Sequence, residues 1–448
     1  SAVYYNEQQP IDVQKGETIR QQDLYITREI ESELHGLIKA QKHRVLLILG
    51  HAGYGKTSTL CQLYKRYCSQ GQRFCCFLLG ALQLEEDVDD AWTTAVSDAR
   101  KKGLQPLVFL DTVDILMHAD ASKRRLTAQI WQFQQNGAVV IATSRKEEGE
   151  RLYTAIEHLG IKKAYLNKYN EVELLKAIKN HVACYYAYKP IKAATEDYQR
   201  IKNIVNRGKS VGDVCRSPLT FRILFSIYAP NNIPLHINAY ELYTQYWERK
   251  VKTDHRDPVD IVVESEKYQD LSELAGFVGI LMVREGQPSL SNRLIKAMMY
   301  HYAFKESALM TLVQRNILKL SKSGDYTFFH QTFFEYSAAT AFSRQKGAIQ
   351  ALAHETFNAA GYQYNAFLLP IYEYALLQGQ HFFPKTIETQ MVYHLKHHPS
   401  VQAQTVIYLY TLLSQEPLSI YAMVQQLADQ EKEYANIIID NLGNAPLS

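Results

Sequence analysis

Long hydrophobic runs are missing from this sequence. The longest, Arg44 to Gly50 and Phe277 to Val283, fall far short of the roughly 18 apolar residues that a membrane-crossing helix needs, so no membrane partner is expected. No secretory leader opens the chain; "SAVYYNEQQP" reads as a cut edge, and a cytoplasmic location is the expectation. Paired cysteines are missing as well. Cys61, Cys68, Cys75, Cys76, Cys184 and Cys215 form no C-x-x-C element, which argues against a disulfide or zinc framework and for reduced, mostly buried thiols. Finally, no excess of one charge exists: 49 Lys and Arg face 46 Asp and Glu, a net charge of +3, so bulk electrostatics neither demand nor exclude a nucleic-acid partner.

What the chain does have is length and alternation. Its 448 residues suffice for about two to four domains with real cores. From Arg44 to about Leu166, short apolar segments alternate with helical ones: "RVLLILG" (44–50), "RFCCFLLG" (73–80), "PLVFLD" (106–111), "AVVIAT" (138–143) and "KAYLN" (163–167). Near-continuous apolar strands separated by helices predict a parallel sheet covered on both faces. After the first strand, Leu60, Leu63, Tyr64, Tyr67 and Cys68 make one helical stripe facing that sheet. Beyond Lys168 the pattern turns helical, as in "NEVELLKAIKNHVACYYAY" and "SPLTFRILFSIY". One exception, "ILKLSKSGDYTFF" (317–329), reads as a hairpin after two helical stretches and before a third, which suggests a small winged-helix module. From about Gln345 onward only helical pattern remains, the expected start of a helical array.

The chemistry concentrates in "LILGHAGYGKTSTL". Gly50-His51-Ala52-Gly53-Tyr54-Gly55-Lys56-Thr57 fits G-x-x-x-x-G-K-[ST] and sits between a strand and a helix, the context a phosphate-binding loop requires. Gly50, Gly53 and Gly55 let backbone amides curl around phosphates, and the helix N-terminus, continuing into Ser58, adds partial positive charge. Lys56 then reaches the β- and γ-phosphates, and the Thr57 hydroxyl ligates Mg²⁺. A carboxylate that orients this metal belongs at the C-terminal end of a neighbouring strand, where "LVFLDTVD" supplies Asp111. Asp114 is the better placed of the two acids to polarise an attacking water, and Arg145, ending "VVIATSR", can sense the γ-phosphate. Against these roles stand plainer ones: a helix-capping Asp111, and a solvated surface arginine at 145.

The stretch "FFHQTFFEYSAA" (328–339) narrows the field. It resembles the winged-helix signature of NACHT proteins within the STAND class of signalling ATPases, with His330, Phe333, Glu335, Tyr336, Ala338 and Ala339 in the matching places. "YITRE" (25–29), with Tyr25 and Arg28, looks like the segment that precedes the phosphate loop and lines the adenine pocket, "TSR" looks like the family's sensor motif, and "CRSPLTFRIL" carries Pro218 where the family has a proline that packs on the base. The resemblance runs from about Tyr25 to about Phe342. It departs from the family where Ile115 follows Asp114 in place of a second acid, which implies slow turnover, and where Phe334 replaces a common glutamine.

This resemblance implies an α/β P-loop NTPase followed by helical, winged-helix and all-α regions: a linker at 1–24, a nucleotide domain at 25–168, a helical domain at 169–235, a winged helix at 236–345 and the start of a sensor array at 346–448. It implies ATP and ADP with Mg²⁺ as cofactors. It also implies that His330 reaches the β-phosphate of ADP, although a histidine capping the following helix is the simpler role. An ADP-bound off state would open on a protein ligand, of viral origin in the antiviral setting common to bacterial relatives, and assemble into a homo-oligomer. An effector domain would sit N-terminal to the chain.

Two other readings compete. An AAA-type ATPase acting on nucleic acid would suit the winged helix and the basic run Lys123-Arg124-Arg125, but the hairpin's only cations are Lys319 and Lys322, few for a DNA-gripping wing. A small-molecule kinase would leave the helical C-terminal half unexplained. His394 and His398 have helical zinc-ligand spacing, yet no neighbouring acid completes a protease motif.

Overall fold

The computed structural model describes residues 10–14, 17–40, 43–70, 73–85, 90–117, 120–187, 191–207, 209–229, 233–235, 237–254, 261–262, 265–287, 289–315, 317–321, 324–357, 365, 367–379, 381–387 and 389–390. Lys322, the pair His394 and His398, and residues 391–448 of the expected sensor array lie outside them. The chain divides into two compact units, one of Ser1–Arg207 with Gly212–Pro234, the other of Gly208–Val211 with Leu235–Ser448.

The first unit opens with β1 (Pro10–Gln14) and β2 (Glu17–Arg20), an antiparallel pair. Within the stretch read as a linker over residues 1–24, the described residues 10–14 and 17–20 are thus extended and paired. Ile19, β-branched and buried, favours extended backbone. Helix α1 (Glu29–Ala40) follows, then the sheet, whose strands are β3 (Val45–Leu49), β4 (Phe74–Gly80), β5 (Gln105–Asp111), β6 (Val139–Ser144) and β7 (Ile161–Tyr165). All five apolar segments read from the sequence are strands, every pairing is parallel, and the order is β4-β5-β6-β3-β7.

Both faces are covered, which is why the strands lack polar alternation. On one face Leu46, Ile48, Leu107, Phe109, Val139 and Ile141 pack against Leu34 and Ile38 of α1 and against Leu60, Leu63 and Tyr67 of α2 (Lys56–Cys68). On the other, Leu47, Leu49, Val108, Leu110, Val140 and Ala142 meet α3 (Ala91–Lys101), α4 (Asp120–Gln135) and α5 (Lys146–Ile156) through Val96, Ile130, Phe133, Leu152 and Ile156. Tyr64 is half-buried and Cys68 exposed, so the stripe on α2 is narrower than expected. At 3.6 residues per turn Cys68 lies about 80° round the helix from Leu60, at the margin of the packed face. The thiols are all free, but only Cys61 and Cys215 are buried. After β7 come α6 (Glu171–Tyr185), α7 (Ile191–Arg207) and α8 (Pro218–Tyr228).

The second unit contains α9 (Ala239–Lys252), α10 (Ser265–Glu285), β8 (Ser289–Ser291), α11 (Asn292–His301), α12 (Glu306–Gln314), β9 (Leu318–Leu320), β10 (Asp325–Phe328), α13 (Gln331–Phe342), α14 (Lys346–Thr356) and α15 (Leu369–Gly379). The hairpin at 317–329 is present, with Gly324 at φ +90° in its turn. A third strand, β8, pairs with β10 and gives the antiparallel order β8-β10-β9. Three residues are too few for a sequence pattern to register. In α13 the alanines allow close helix packing: a Cβ on Gly279 of α10 would lie 2.9 Å from the Ala338 backbone. Phe334 is buried and stacks on Phe367, so its replacement of a glutamine is a matter of packing. Among the described residues no helix is long and apolar enough to cross a membrane.

Candidate functional site

The site lies at the C-terminal ends of β3, β5 and β6, where the parallel strands finish together: Leu49 is in register with Ser144, and Gly80 with Asp111. Open α/β sheets bind ligands at this edge, because loops and helix N-termini converge there. The loop Gly50–Thr57 leaves β3 and enters α2. Gly53 and Gly55 take φ of +80° and +90°, conformations that strain any residue with a Cβ, and Gly55 caps α2. Gly50 is required for another reason: a Cβ there would lie 2.5 Å from the Leu166 carbonyl oxygen at the end of β7.

Lys56 Nζ donates to the Gly50 and His51 carbonyls at 2.7 and 3.0 Å. Burial pushes the ammonium down from 10.5 to about 8, opposed by the charges of Asp114, Asp111 and Glu148 and assisted by Arg145. A phosphate favours the ammonium and draws the value back up. Nucleotide affinity is therefore expected to be insensitive to this group below pH 8 and to fall by up to about tenfold per pH unit above it. Calorimetry of ADP binding at pH 9, in two buffers of different ionisation heat, should report uptake of close to one proton; none taken up would mean that burial does not hold Lys56 down in the unliganded chain.

Asp111 is buried and receives three hydroxyl-centred contacts. Thr57 Oγ1 lies 3.1 and 2.9 Å from its two oxygens, and Thr143 Oγ1 donates at 2.6 Å. The Thr143 hydroxyl itself accepts from the Thr112 N–H at 2.8 Å, and Thr112 sits at φ +58°, a strained position for a β-branched residue. Burial raises the Asp111 carboxyl above its usual range, with the Thr143, Thr57 and Thr112 hydroxyls pulling it back. The expected neighbour relation is corrected: β5 is not adjacent to the loop strand, since β6 lies between them. Asp111 itself reaches across that gap to Thr57, while Thr143, on β6, donates to it from the strand between. Asp111 does not cap a helix; it ends a strand.

Asp114 lies in a short 3₁₀ turn, Val113–Met117, and is buried. Its oxygens face Arg145, accepting the backbone N–H at 3.3 Å and lying 3.7 Å from Nε. Arg145 is buried, not a solvated surface arginine. Sequence reasoning missed Glu148, which is 2% exposed in the first turn of α5 and close enough for its charge to act on Lys56. Nothing in "KEEGE" separates it from solvated glutamates. It missed Thr143 as a site residue as well.

Around this centre the other candidates take distinct places. Tyr25 donates to Glu31 at 2.5 Å, and burial followed by the Glu31 charge raises its phenol. Arg28 is buried and bonded to the Tyr54 and Asn167 carbonyls. Ser58 lies half-buried in the first turn of α2. Pro218 opens α8, its Cγ 3.7 Å from where a Gly55 Cβ would be, and the Leu219 N–H donates to the Gly53 carbonyl at 3.1 Å. His330 belongs to the second unit. There it caps α13, its Nδ1 accepting from the Thr332 N–H at 3.1 Å, so its neutral form carries the proton on Nε2.

Among the described residues no group of three or more His, Cys, Asp or Glu could hold a metal unaided. The Thr57 hydroxyl and Asp111 carboxylate converge as hard oxygen donors, the set that suits Mg²⁺ when phosphates complete its shell.

No curated protein matches the chain in sequence. Similar solved structures include the Drosophila ORC bound to DNA (17% identity, TM-score 0.34, covering 68% of this chain and 92% of that one) and a Walker-type ATPase of Pyrococcus abyssi (10%, 0.34, 72% and 96%). Another is the Thermotoga maritima RuvB Holliday junction branch migration motor (16%, 0.29, 67% and 92%). Residues 35–184 match the family model described as novel STAND NTPase 3. This segment, holding the phosphate loop, Asp111 and Arg145, is a P-loop nucleotide-binding domain similar to those of STAND-type NTPases.

Proposed function

We propose that the chain is a nucleotide-dependent switch that binds ATP or ADP with Mg²⁺, hydrolyses ATP slowly, and is held off by ADP. The observation that carries this is the grip of α8 on the phosphate loop: Pro218 packs beside Gly55 while the Leu219 N–H holds the Gly53 carbonyl, so a helical element feels the loop's state directly. Lys56 and the loop amides bind the phosphates. Thr57 and Asp111 would hold Mg²⁺, which neutralises phosphate charge when bound. Asp114 is the acid for polarising water, but Arg145 holds it in a buried pair, and this supports slow turnover. Arg145, on the same pair, responds to the γ-phosphate.

In the second unit, the order α10-β8-α11-α12-β9-β10, with its three-stranded sheet, supports a winged helix. By its resemblance to the family, His330 would be the residue that reaches the β-phosphate of ADP. A protein ligand acting on the C-terminal helices favours the open form, ATP replaces ADP, and copies of the chain assemble. Antiviral signalling in the cytoplasm, with an N-terminal effector as in NACHT-type sensors, is the biology this suits.

Denaturing the purified chain and identifying the released nucleotide tests the reading. Stoichiometric ADP is expected. His330→Ala should weaken ADP by about tenfold and ATP by much less; equal losses would reduce His330 to its capping role. The same sheet favours a second reading, an AAA-type ATPase on nucleic acid. An empty site, with turnover stimulated by DNA and steeply salt-dependent DNA affinity, would select it.

A further inference from the structure

We propose that Arg28 is a positioning residue for the phosphate loop, acting on the Tyr54 carbonyl and tied to α6 through Glu173, rather than a ligand of the nucleotide. The proposal rests on the phosphate-loop reading and goes beyond it by giving this arginine an indirect role.

The guanidinium makes two hydrogen bonds to backbone carbonyls and one buried ion pair. NH1 donates to the Tyr54 carbonyl at 3.0 Å and NH2 to the Asn167 carbonyl at 2.7 Å. Nε pairs with Glu173 Oε1 at 3.1 Å, both side chains being at most 8% exposed, and the group stacks 4.7 Å from the centre of the Tyr169 ring. Glu173 is itself held, accepting the Glu29 N–H at 2.8 Å and the Asn170 N–H at 3.1 Å as part of the cap of α6. One cation thus joins the segment before α1, the phosphate loop, the exit of β7 and the start of α6.

The physical consequence follows from peptide geometry. In a trans peptide the C=O and the next N–H point in opposite directions. Anchoring the Tyr54 carbonyl on Arg28 therefore fixes where the Gly55 N–H points, and Gly55 lies at the mouth of α2, where backbone amides meet phosphate. At φ +90° Gly55 has wide conformational freedom, so this peptide is the one most in need of an external hold. A residue acting this way strengthens phosphate binding and leaves base binding alone. A residue lining an adenine pocket does the reverse.

The test compares three probes on the full chain: ADP and inorganic pyrophosphate by calorimetry, and adenosine by ligand-observed NMR. Arg28→Gln should lower affinity for ADP and pyrophosphate by about 10- to 100-fold while adenosine changes less than about twofold. Arg28→Lys, which can reach one carbonyl, should recover part of the loss. Because Arg28→Gln orphans a buried carboxylate, the double variant Arg28→Gln/Glu173→Gln is measured too, and it should show the same phosphate-specific loss. Equal losses of adenosine and ADP, or unchanged pyrophosphate binding, would overturn the proposal. Lys56→Ala runs alongside: if it binds ADP like the parent, the phosphate-loop reading itself falls and takes this one with it. If Lys56→Ala loses ADP while Arg28→Gln does not, only the role of Arg28 is refuted.

Discussion

Lys56→Ala is expected to weaken ADP by about 100- to 1,000-fold, the cost of about 3–4 kcal/mol for removing a desolvated, charge-assisted contact to phosphate. The ammonium now rests on the Gly50 and His51 carbonyls, two acceptors that a bound phosphate would compete with for the same donor. Its removal also takes away a cation on which the charges of Asp114, Asp111 and Glu148 act. Acids left without that cation repel a polyphosphate. Lys56→Arg should not rescue fully, since a guanidinium cannot sit where a compact ammonium does. Titration calorimetry with ADP, read beside circular dichroism of each variant, decides the matter; folded Lys56→Ala with parental affinity would remove the loop from the mechanism.

Asp111→Asn should separate stability from activity. Burial raises the Asp111 carboxyl, so the ionised form is disfavoured in the folded chain. An acid raised in this way contributes stability that is present at low pH and lost as pH rises through its folded value. At neutral pH the charge is therefore a net cost. Replacing it with a neutral amide, which can still bond to Thr143 and Thr57, should leave the nucleotide-free melting temperature unchanged or raise it by about 2–4 °C. The same change removes the negative oxygen donor that suits Mg²⁺, and hydrolysis should fall by about 100-fold or more. Single-turnover hydrolysis and thermal melts with and without Mg²⁺ measure both effects. Retained hydrolysis would exclude Asp111 from the metal site.

The elements most legible in the sequence were those with a local physical cause. The five sheet strands declared themselves because a strand buried on both faces has to be apolar throughout, and the loop declared itself because Gly53, Gly55, Lys56 and Thr57 each answer a separate demand of phosphate chemistry. The hairpin at 317–329 showed its alternation and its turn glycine. Less legible were β1 and β2, whose polar residues hide a short antiparallel pair, and β8, too short to carry a period. The place of β6 between β3 and β5 was not legible at all, since strand order depends on how helices cross the sheet.

Sequence alone therefore determined the chemistry that could occur: a phosphate loop, a strand-ending aspartate and an arginine at a third strand end, because residue type and spacing within one segment suffice for these. Tertiary structure decided how they work together. Strand order places Thr143 on the strand between those that lead to Asp111 and to the loop, where its hydroxyl donates to Asp111, burial turns Arg145 from a surface cation into the partner of Asp114, and Arg28 meets Tyr54 across 26 residues and Asn167 across 139. Such contacts join segments distant in the chain, and their energies come from desolvation and close approach, which no local pattern encodes.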